Sequence, residues 1–228
     1  MARFDPGTVL VAIPVKALAD SKSRLSSALK PRERTHLTLA MLEDVVRVAL
    51  ASGAASGVAV ISADRGILGF AGELGADAVR EGGRGLNRAV EQVTAWCIRR
   101  GAGAVLILPS DIPCVTVEDI RRLVDLGSER RSVALSPSDD GGTNALLRNP
   151  PDVIPPRFGA NSFMEHLSAA RMRGVRARVH RSPSIALDVD SVDDLKRLME
   201  APRETSTHRL LEELGLSARL SVDHPGRV

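Results

Sequence analysis

The stretch "AVLILPSDIPCV", residues 104–115, constrains this chain more than any other. Its first six residues, Ala104 to Pro109, enclose four consecutive aliphatic side chains and read as a strand buried on both faces. Such strands belong to parallel sheets covered by helices. A carboxylate, Asp111, follows almost at once, beside Pro113. A charge leaving a low-dielectric core needs a partner, a cation or open solvent.

The rest of the chain supplies the sheet and its cover. Strands are expected at 8–15, 57–62, 77–81, 132–138, 144–149, 176–181 and 185–190. Helices are expected at 31–52, where Pro31 suits the first turn, at 64–75, 86–101 and 116–127, where Thr116 is the cap. Two more follow, one within 158–174 after a short loop and one at 191–200 with Ser191 as its cap. Strands alternating with helices predict an α/β fold, a mostly parallel central sheet with helices on both faces. Ligands of such sheets sit beyond the carboxyl ends of the strands, which is where Asp111 falls. Residues 1–200 read as one domain. Residues 201–228 read as an extension with a helix at 203–214 and a short strand, packed on the same domain or on a partner subunit in a homodimer.

Composition excludes several classes. The chain has no Tyr, one Trp and four Phe, too few aromatic platforms for stacking single-stranded nucleic acid. A net charge of +3 suits a local anion pocket rather than a basic surface. Cys97 and Cys114 form neither a zinc pattern nor a disulfide framework and read as small buried hydrophobes. No apolar run reaches 18 residues and no signal peptide is visible, so the expected setting is the cytoplasm, without a membrane or nucleic-acid partner. His36, His166, His180, His208 and His224 are scattered, with no metal or triad partner at useful spacing, and read as core or surface residues.

Two segments carry candidate chemistry. In "ALDVDSVDDL", Asp188 and Asp190 are two apart in an expected strand and so share a side. Two carboxylates on one face repel unless a cation lies between them. Asp190 alone also reads as a cap of the next helix. Together with Asp111, the pair offers three hard oxygen donors, which suit Mg²⁺ or Mn²⁺ rather than zinc. In "IPVKALADSKSRLSS", Lys16, Lys22 and Arg24 follow the first strand. No GxxxxGK[ST] segment is present, so this is not a P-loop. The basic side chains either neutralise a polyphosphate or form a solvated loop. Gly141 and Gly142 allow close approach of a backbone to an anion or simply close a hairpin. Gly159 precedes a helix start near Asn161 and Ser162, a place suited to phosphate or to an ordinary cap.

In this order, "IPVKALADSKSRLS", "GLNRAV", "LPSDIP", "GGTNALLRNP", "FGANSF" and "LDVDSVDDL" resemble the guanylyltransferases of coenzyme F-420 biosynthesis. These enzymes attach GMP to 2-phospho-L-lactate or phosphoenolpyruvate. The resemblance spans nearly the whole chain and implies a nucleotidyltransferase fold of the nucleotide-diphospho-sugar transferase type. It implies metal carboxylates at Asp111, Asp188 and Asp190, and acceptor contacts at Thr143, Gly159 and Ser162. Lys16, Lys22, Arg24, Asn87 and Ser110 would face GTP, with Lys22, Arg24 and Asp111 as the catalytic group. The acceptor phosphate, a dianion near neutral pH, would attack the α-phosphorus of GTP without a general base. The competing readings are a molybdopterin or sugar-phosphate nucleotidyltransferase and a non-catalytic nucleotide-binding protein. The lack of glycine in 16–24 counts against the first, and the three aspartates count against the second.

Overall fold

The computed structural model describes residues 7–202 and 204–222. The first six residues of the predicted 1–200 domain, and residues 203 and 223–228 of the predicted extension, His224 among them, lie outside them. Seven strands form one sheet: β1 (Thr8–Pro14), β2 (Gly57–Ser62), β3 (Asp77–Arg80), β4 (Ala102–Ile107), β5 (Ser132–Pro137), β6 (Thr143–Asn149) and β7 (Arg176–Val179). Their spatial order is β3-β2-β1-β4-β6-β5-β7. All pairs are parallel except β4 with β6 and β5 with β6. The helices are α1 (Pro31–Ala51), α2 (Arg65–Glu73), α3 (Leu86–Arg99), α4 (Val117–Leu126), α5 (Ser162–Met172), α6 (Pro183–Ala186), α7 (Val192–Met199), α8 (Ser206–Glu213) and α9 (Leu216–Val222).

Alternation along the strands divides the core. Val9, Val11 and Ile13 of β1 pack with Val45 of α1, Ile67 of α2 and Ile120 of α4. Leu10 and Ala12 point the other way, toward Val90 and Val93 of α3 and Ala170 of α5. β4, the strand read from residues 104–109, is likewise buried on both faces, with Ala104 and Leu106 in the first cluster and Val105 and Ile107 in the second, as its sequence requires. It starts at Ala102 and ends at Ile107, earlier at both ends than the sequence indicates.

Among the described residues, two expected strands are absent. The first is 185–190. Pro183 starts the single helical turn α6, and residues 187–190 carry no ladder. Both edges of β4 are already paired, with β1 and β6, so no place in the sheet is left beside it. Instead, the chain leaves edge strand β7 and runs back across the strand ends. Ala186 accepts from the Asp139 amide after β5, and the Val189 amide donates to the Asp111 carbonyl after β4. The two-residue alternation survives: Leu187 and Val189 are buried, while Asp188 and Asp190 are half-buried on the other side. The strap is fastened by Asp119 at the start of α4, which accepts from Ser184 Oγ (2.5 Å) and His180 Nε2 (2.9 Å). Although burial opposes the charge on Asp119, hydrogen bonds from Ser184, Thr116 and His180 hold its carboxyl down at about 2.

The second is the short strand expected in the tail, where α9 stands instead. Leu211 of α8 and Leu216 of α9 join a third core cluster with Leu25, Leu29, Met41, Leu187 and Val189. Buried Asp44 of α1 accepts from the amides of Ser206 (2.7 Å) and Thr207 (2.9 Å) and from Thr207 Oγ1 (2.6 Å). Asp44→Ala strips three donors of one charged acceptor and is expected to cost about 3 kcal/mol. That corresponds to a melting temperature lower by roughly 6–12 °C in a chain of this size. Calorimetry checks it, and an unchanged melting temperature would contradict this docking of the tail.

Candidate active site

The site forms where the strap crosses the carboxyl end of β4. Lys22, from the loop after β1, extends its ammonium between two acids. Its Nζ donates to Asp111 Oδ2 at 2.8 Å and to Asp190 Oδ1 at 2.9 Å, and its side chain is only 7% exposed. Burial opposes the Lys22 charge, but the two carboxylates outweigh it and raise the pKa above the ordinary lysine value. Burial likewise opposes charge on Asp190, yet Lys22, then Arg24 and Lys16, hold its carboxyl below the usual range. Lys22 adopts a left-handed backbone, φ 53° and ψ 37°, a conformation that costs a non-glycine residue about 1–2 kcal/mol. Leu25 and Leu29 bury themselves just beyond it and hold the loop in place. Arg24 and Lys16 are exposed beside this cluster, and Ser110 is half-buried next to Asp111.

Asp188 differs from its neighbours. Its Oδ1 accepts from Asn144 Nδ2 at 3.2 Å. Burial, reinforced by Asp111 and Asp190, pushes its carboxyl up to about 6. Asp190 does not cap α7. Ser191 does, its hydroxyl accepting from the Asp194 amide, while Asp194 accepts from the amides of Asp190 and Ser191. Among the described residues no three carboxylates converge as a ready-made metal cage. The cation between Asp111 and Asp190 is the lysine.

A second cluster adjoins the first. β6 runs antiparallel to β4 with Leu146 opposite Ile107, so Thr143 lies level with the turn carrying Asp111. Consecutive residues of β6 face opposite ways. Asn144 turns to Asp188, and Thr143 turns to α5, where Ser162 Oγ donates to its Oγ1 at 3.1 Å. The hairpin reading of Gly141 and Gly142 holds: Asp140 Oδ1 accepts from the Gly142 amide, and a Cβ on Gly142 would sit 2.6 Å from Ser138 Oγ. The start of α5 is less open to an anion than its sequence suggests. The Ser162 amide donates to Gly159 and the Phe163 amide to Gly141, and Asn161 makes no side-chain cap. Gly159 is exposed, with φ 139°. Asn87 has both amide ends bound to the Phe158 backbone, at 3.0 and 2.7 Å, so it anchors the loop carrying Gly159.

His166 escaped the sequence reading as a partnered residue. It is fully buried on α5, where its Nδ1 lies 3.1 Å from Thr143 Oγ1 and its Nε2 accepts from the Arg157 amide at 2.9 Å. The available signal was its position four residues after Ser162, one turn along the same helix face. Asn144 was missed as well. Cys97 and Cys114 are both buried.

Strands flanked by helices, with charged residues gathered at the strand ends, place the site where open α/β sheets bind their ligands. The fold matches that of a Desulfovibrio desulfuricans G20 protein assigned to the nucleotide-diphospho-sugar transferases, at TM-score 0.77 and 20% identity over 94% of this chain and 97% of that one. It also matches a Mycobacterium tuberculosis H37Rv protein solved with manganese, at TM-score 0.52 and 18% identity over 85% and 99%. In sequence, the chain is 44% identical to phosphoenolpyruvate guanylyltransferase of Rubrobacter xylanophilus over 84% of this chain and 93% of that protein. It is 38% identical to 2-phospho-L-lactate guanylyltransferase of Methanothermobacter thermautotrophicus over 92% of each. The family profile described as Guanylyl transferase CofC like matches residues 9–227, and the chain belongs to that family.

The buried imidazole makes stability depend on pH. Burial, then the charges of Arg148 and Arg157, push His166 down to about 4 from 6.5. As pH falls below 6.5, the unfolded chain takes up this proton and the folded one does not, so stability is lost between pH 6.5 and about 4. The full difference is on the order of 3 kcal/mol. Urea unfolding across this window should show a shallower pH slope in His166→Gln than in the wild type. Equal slopes would contradict the buried neutral ring.

Proposed function

We propose that this chain transfers GMP from GTP to a three-carbon phospho-acid, phosphoenolpyruvate or 2-phospho-L-lactate, and releases diphosphate, as in coenzyme F-420 biosynthesis. The observation that carries the reading is the Asp111–Lys22–Asp190 cluster placed beside the Thr143–Ser162 pair. The first suits a polyphosphate and its counter-ion. The second offers a neutral hydroxyl donor to a small anion.

Lys22, Arg24 and Lys16 bind and neutralise the triphosphate, with Ser110 and the Asn87-anchored loop bordering the nucleotide. Thr143, Ser162 and Gly159 seat the acceptor. The attacking phosphate is largely a dianion at neutral pH, so no residue must remove a proton, and the neutral His166 is not asked to. The barrier is repulsion between two anions, lowered by alignment and positive charge. Asp111, Asp188 and Asp190 fit a divalent cation in donor type, Mg²⁺ or Mn²⁺, since all are hard oxygen ligands. The raised Asp188 carboxyl marks a place where added positive charge is favourable. When bound, the ion supplies further neutralisation of the phosphates. The proposed setting is the cytoplasm, with 1–200 as the catalytic domain, 201–228 as an extension and a homodimer as the assembly. No observation favours the molybdopterin, sugar-phosphate or binding-only readings.

Diphosphate release with GTP tests the acceptor. Phosphoenolpyruvate or 2-phospho-L-lactate should support turnover far better than 3-phosphoglycerate or a hexose 1-phosphate. A preferred sugar phosphate would overturn the reading. Asp190→Asn should keep the fold, monitored by circular dichroism, and lose on the order of a hundredfold in turnover; near-normal turnover would remove Asp190 from the site. Arg24 is exposed, so Arg24→Ala should leave the melting temperature unchanged while weakening GTP binding about tenfold. Unchanged GTP affinity by calorimetry would make Arg24 a surface residue only.

A further inference from the structure

The hydrogen bonds around His166 fix a proton that none of the assignments above uses. The Arg157 amide can only donate, and it donates to His166 Nε2. In a neutral imidazole one nitrogen accepts and the other carries the proton, so the proton is on Nδ1. Nδ1–H therefore donates to Thr143 Oγ1 across 3.1 Å. The Ser162 hydroxyl donates to the same oxygen, also at 3.1 Å. A hydroxyl oxygen has two acceptor lone pairs and one proton of its own. With both lone pairs occupied, the Thr143 proton must be offered to a third group. Among the described residues, Thr143 Oγ1 has His166 and Ser162 as partners and no acceptor for that proton.

The arrangement is held firmly. His166 is fully buried, and Phe158 meets its ring edge-on with centroids 5.0 Å apart. The charged groups facing the ring are Arg148 from β6 and Arg157 from the preceding loop, and both disfavour a protonated imidazole. Glu165, the next charged neighbour on α5, is paired with Arg157 at 3.2 Å.

We propose that His166 is a positioning residue that turns Thr143 into an obligate hydrogen-bond donor toward the anionic acceptor. This rests on the assignment of Thr143 to the acceptor under the proposed function. A phosphate or carboxylate oxygen only accepts, so a hydroxyl whose lone pairs are already filled prefers an ionised acid to a neutral hydroxyl. Ser162 and His166 together make Thr143 selective without touching the ligand through the imidazole.

Three variants and a spectrum test this. In His166→Asn the amide nitrogen can stand close to the former Nδ1 and restore the donor. In His166→Gln the amide reaches the Nε2 position and leaves Thr143 Oγ1 without its second donor. The acceptor KM should rise about tenfold in His166→Gln and return to within about threefold of wild type in His166→Asn, with the GTP KM unchanged in both. Melting temperatures are recorded alongside. The ¹⁵N–¹H long-range spectrum of the unmodified protein needs no variant to fold, and it should show Nδ1 protonated and Nε2 bare. An Nε2–H signature would overturn the proposal outright. If Thr143→Val raises the acceptor KM while both His166 variants match the wild type, the positioning role is wrong and the acceptor site stands. If Thr143→Val leaves the acceptor KM unchanged, the acceptor assignment fails and the positioning role falls with it.

Discussion

The Lys22 ammonium between Asp111 and Asp190 is the contact on which the site depends. Two carboxylates brought to one strand end repel each other, and in a half-buried setting water screens them poorly. A largely buried cation within 2.9 Å of both makes that arrangement tolerable. The cost of removing one partner from such a cluster is the charge it leaves behind rather than the contact itself. Lys22 is also one of the residues proposed to meet GTP. The same side chain thus holds the site together and is available to the substrate.

The rest of the fold serves to bring these charges to one place. Asp111 arrives on the end of a strand in the middle of the sheet. Asp188 and Asp190 arrive on a strap from the far edge, which crosses the ends of β5, β6 and β4 and is fastened by Asp119. Lys22 arrives on a loop whose Leu25 and Leu29 share a core cluster with the strap's Leu187 and Val189 and with the tail's Leu211 and Leu216. Packing under the loop and the strap is therefore continuous. The tail reaches the loop by a charge as well, since Arg219 donates to the Ala28 carbonyl at 2.7 Å.

Much of this was legible in the residues. The aliphatic run before Asp111 marked a central strand, and the acid after it marked a strand-end site. Caps at Thr116 and Ser191 were read correctly because a hydroxyl followed three residues later by a carboxylate makes a local capping box, which needs no tertiary knowledge. The segment 185–190 was misread because its alternation is genuine but sheet pairing depends on a free edge, which only topology reveals. Its consequence, both acids on one side, survived because an extended chain alternates with or without a ladder. The sequence marks a cation site at these carboxylates and names a metal for it, and the Lys22 ammonium between Asp111 and Asp190 is an addition to that reading. Which positive charge fills the gap depends on a lysine 89 residues before Asp111 in sequence, and no local pattern encodes that. His166 was hidden for the same reason: its partner Thr143 is 23 residues away, across a hairpin and a loop.

The central claim is that one charged cluster both holds the strap in the free protein and receives the nucleotide with its counter-ion. A crystal structure of the complex with Mn²⁺ and GTP, with anomalous scattering to locate the metal, tests this most directly. The account predicts Mn²⁺ bound by carboxylates from Asp111, Asp188 and Asp190, with the Lys22 ammonium shifted onto the triphosphate. Lys22 still bridging Asp111 and Asp190, with metal and nucleotide elsewhere, would contradict it.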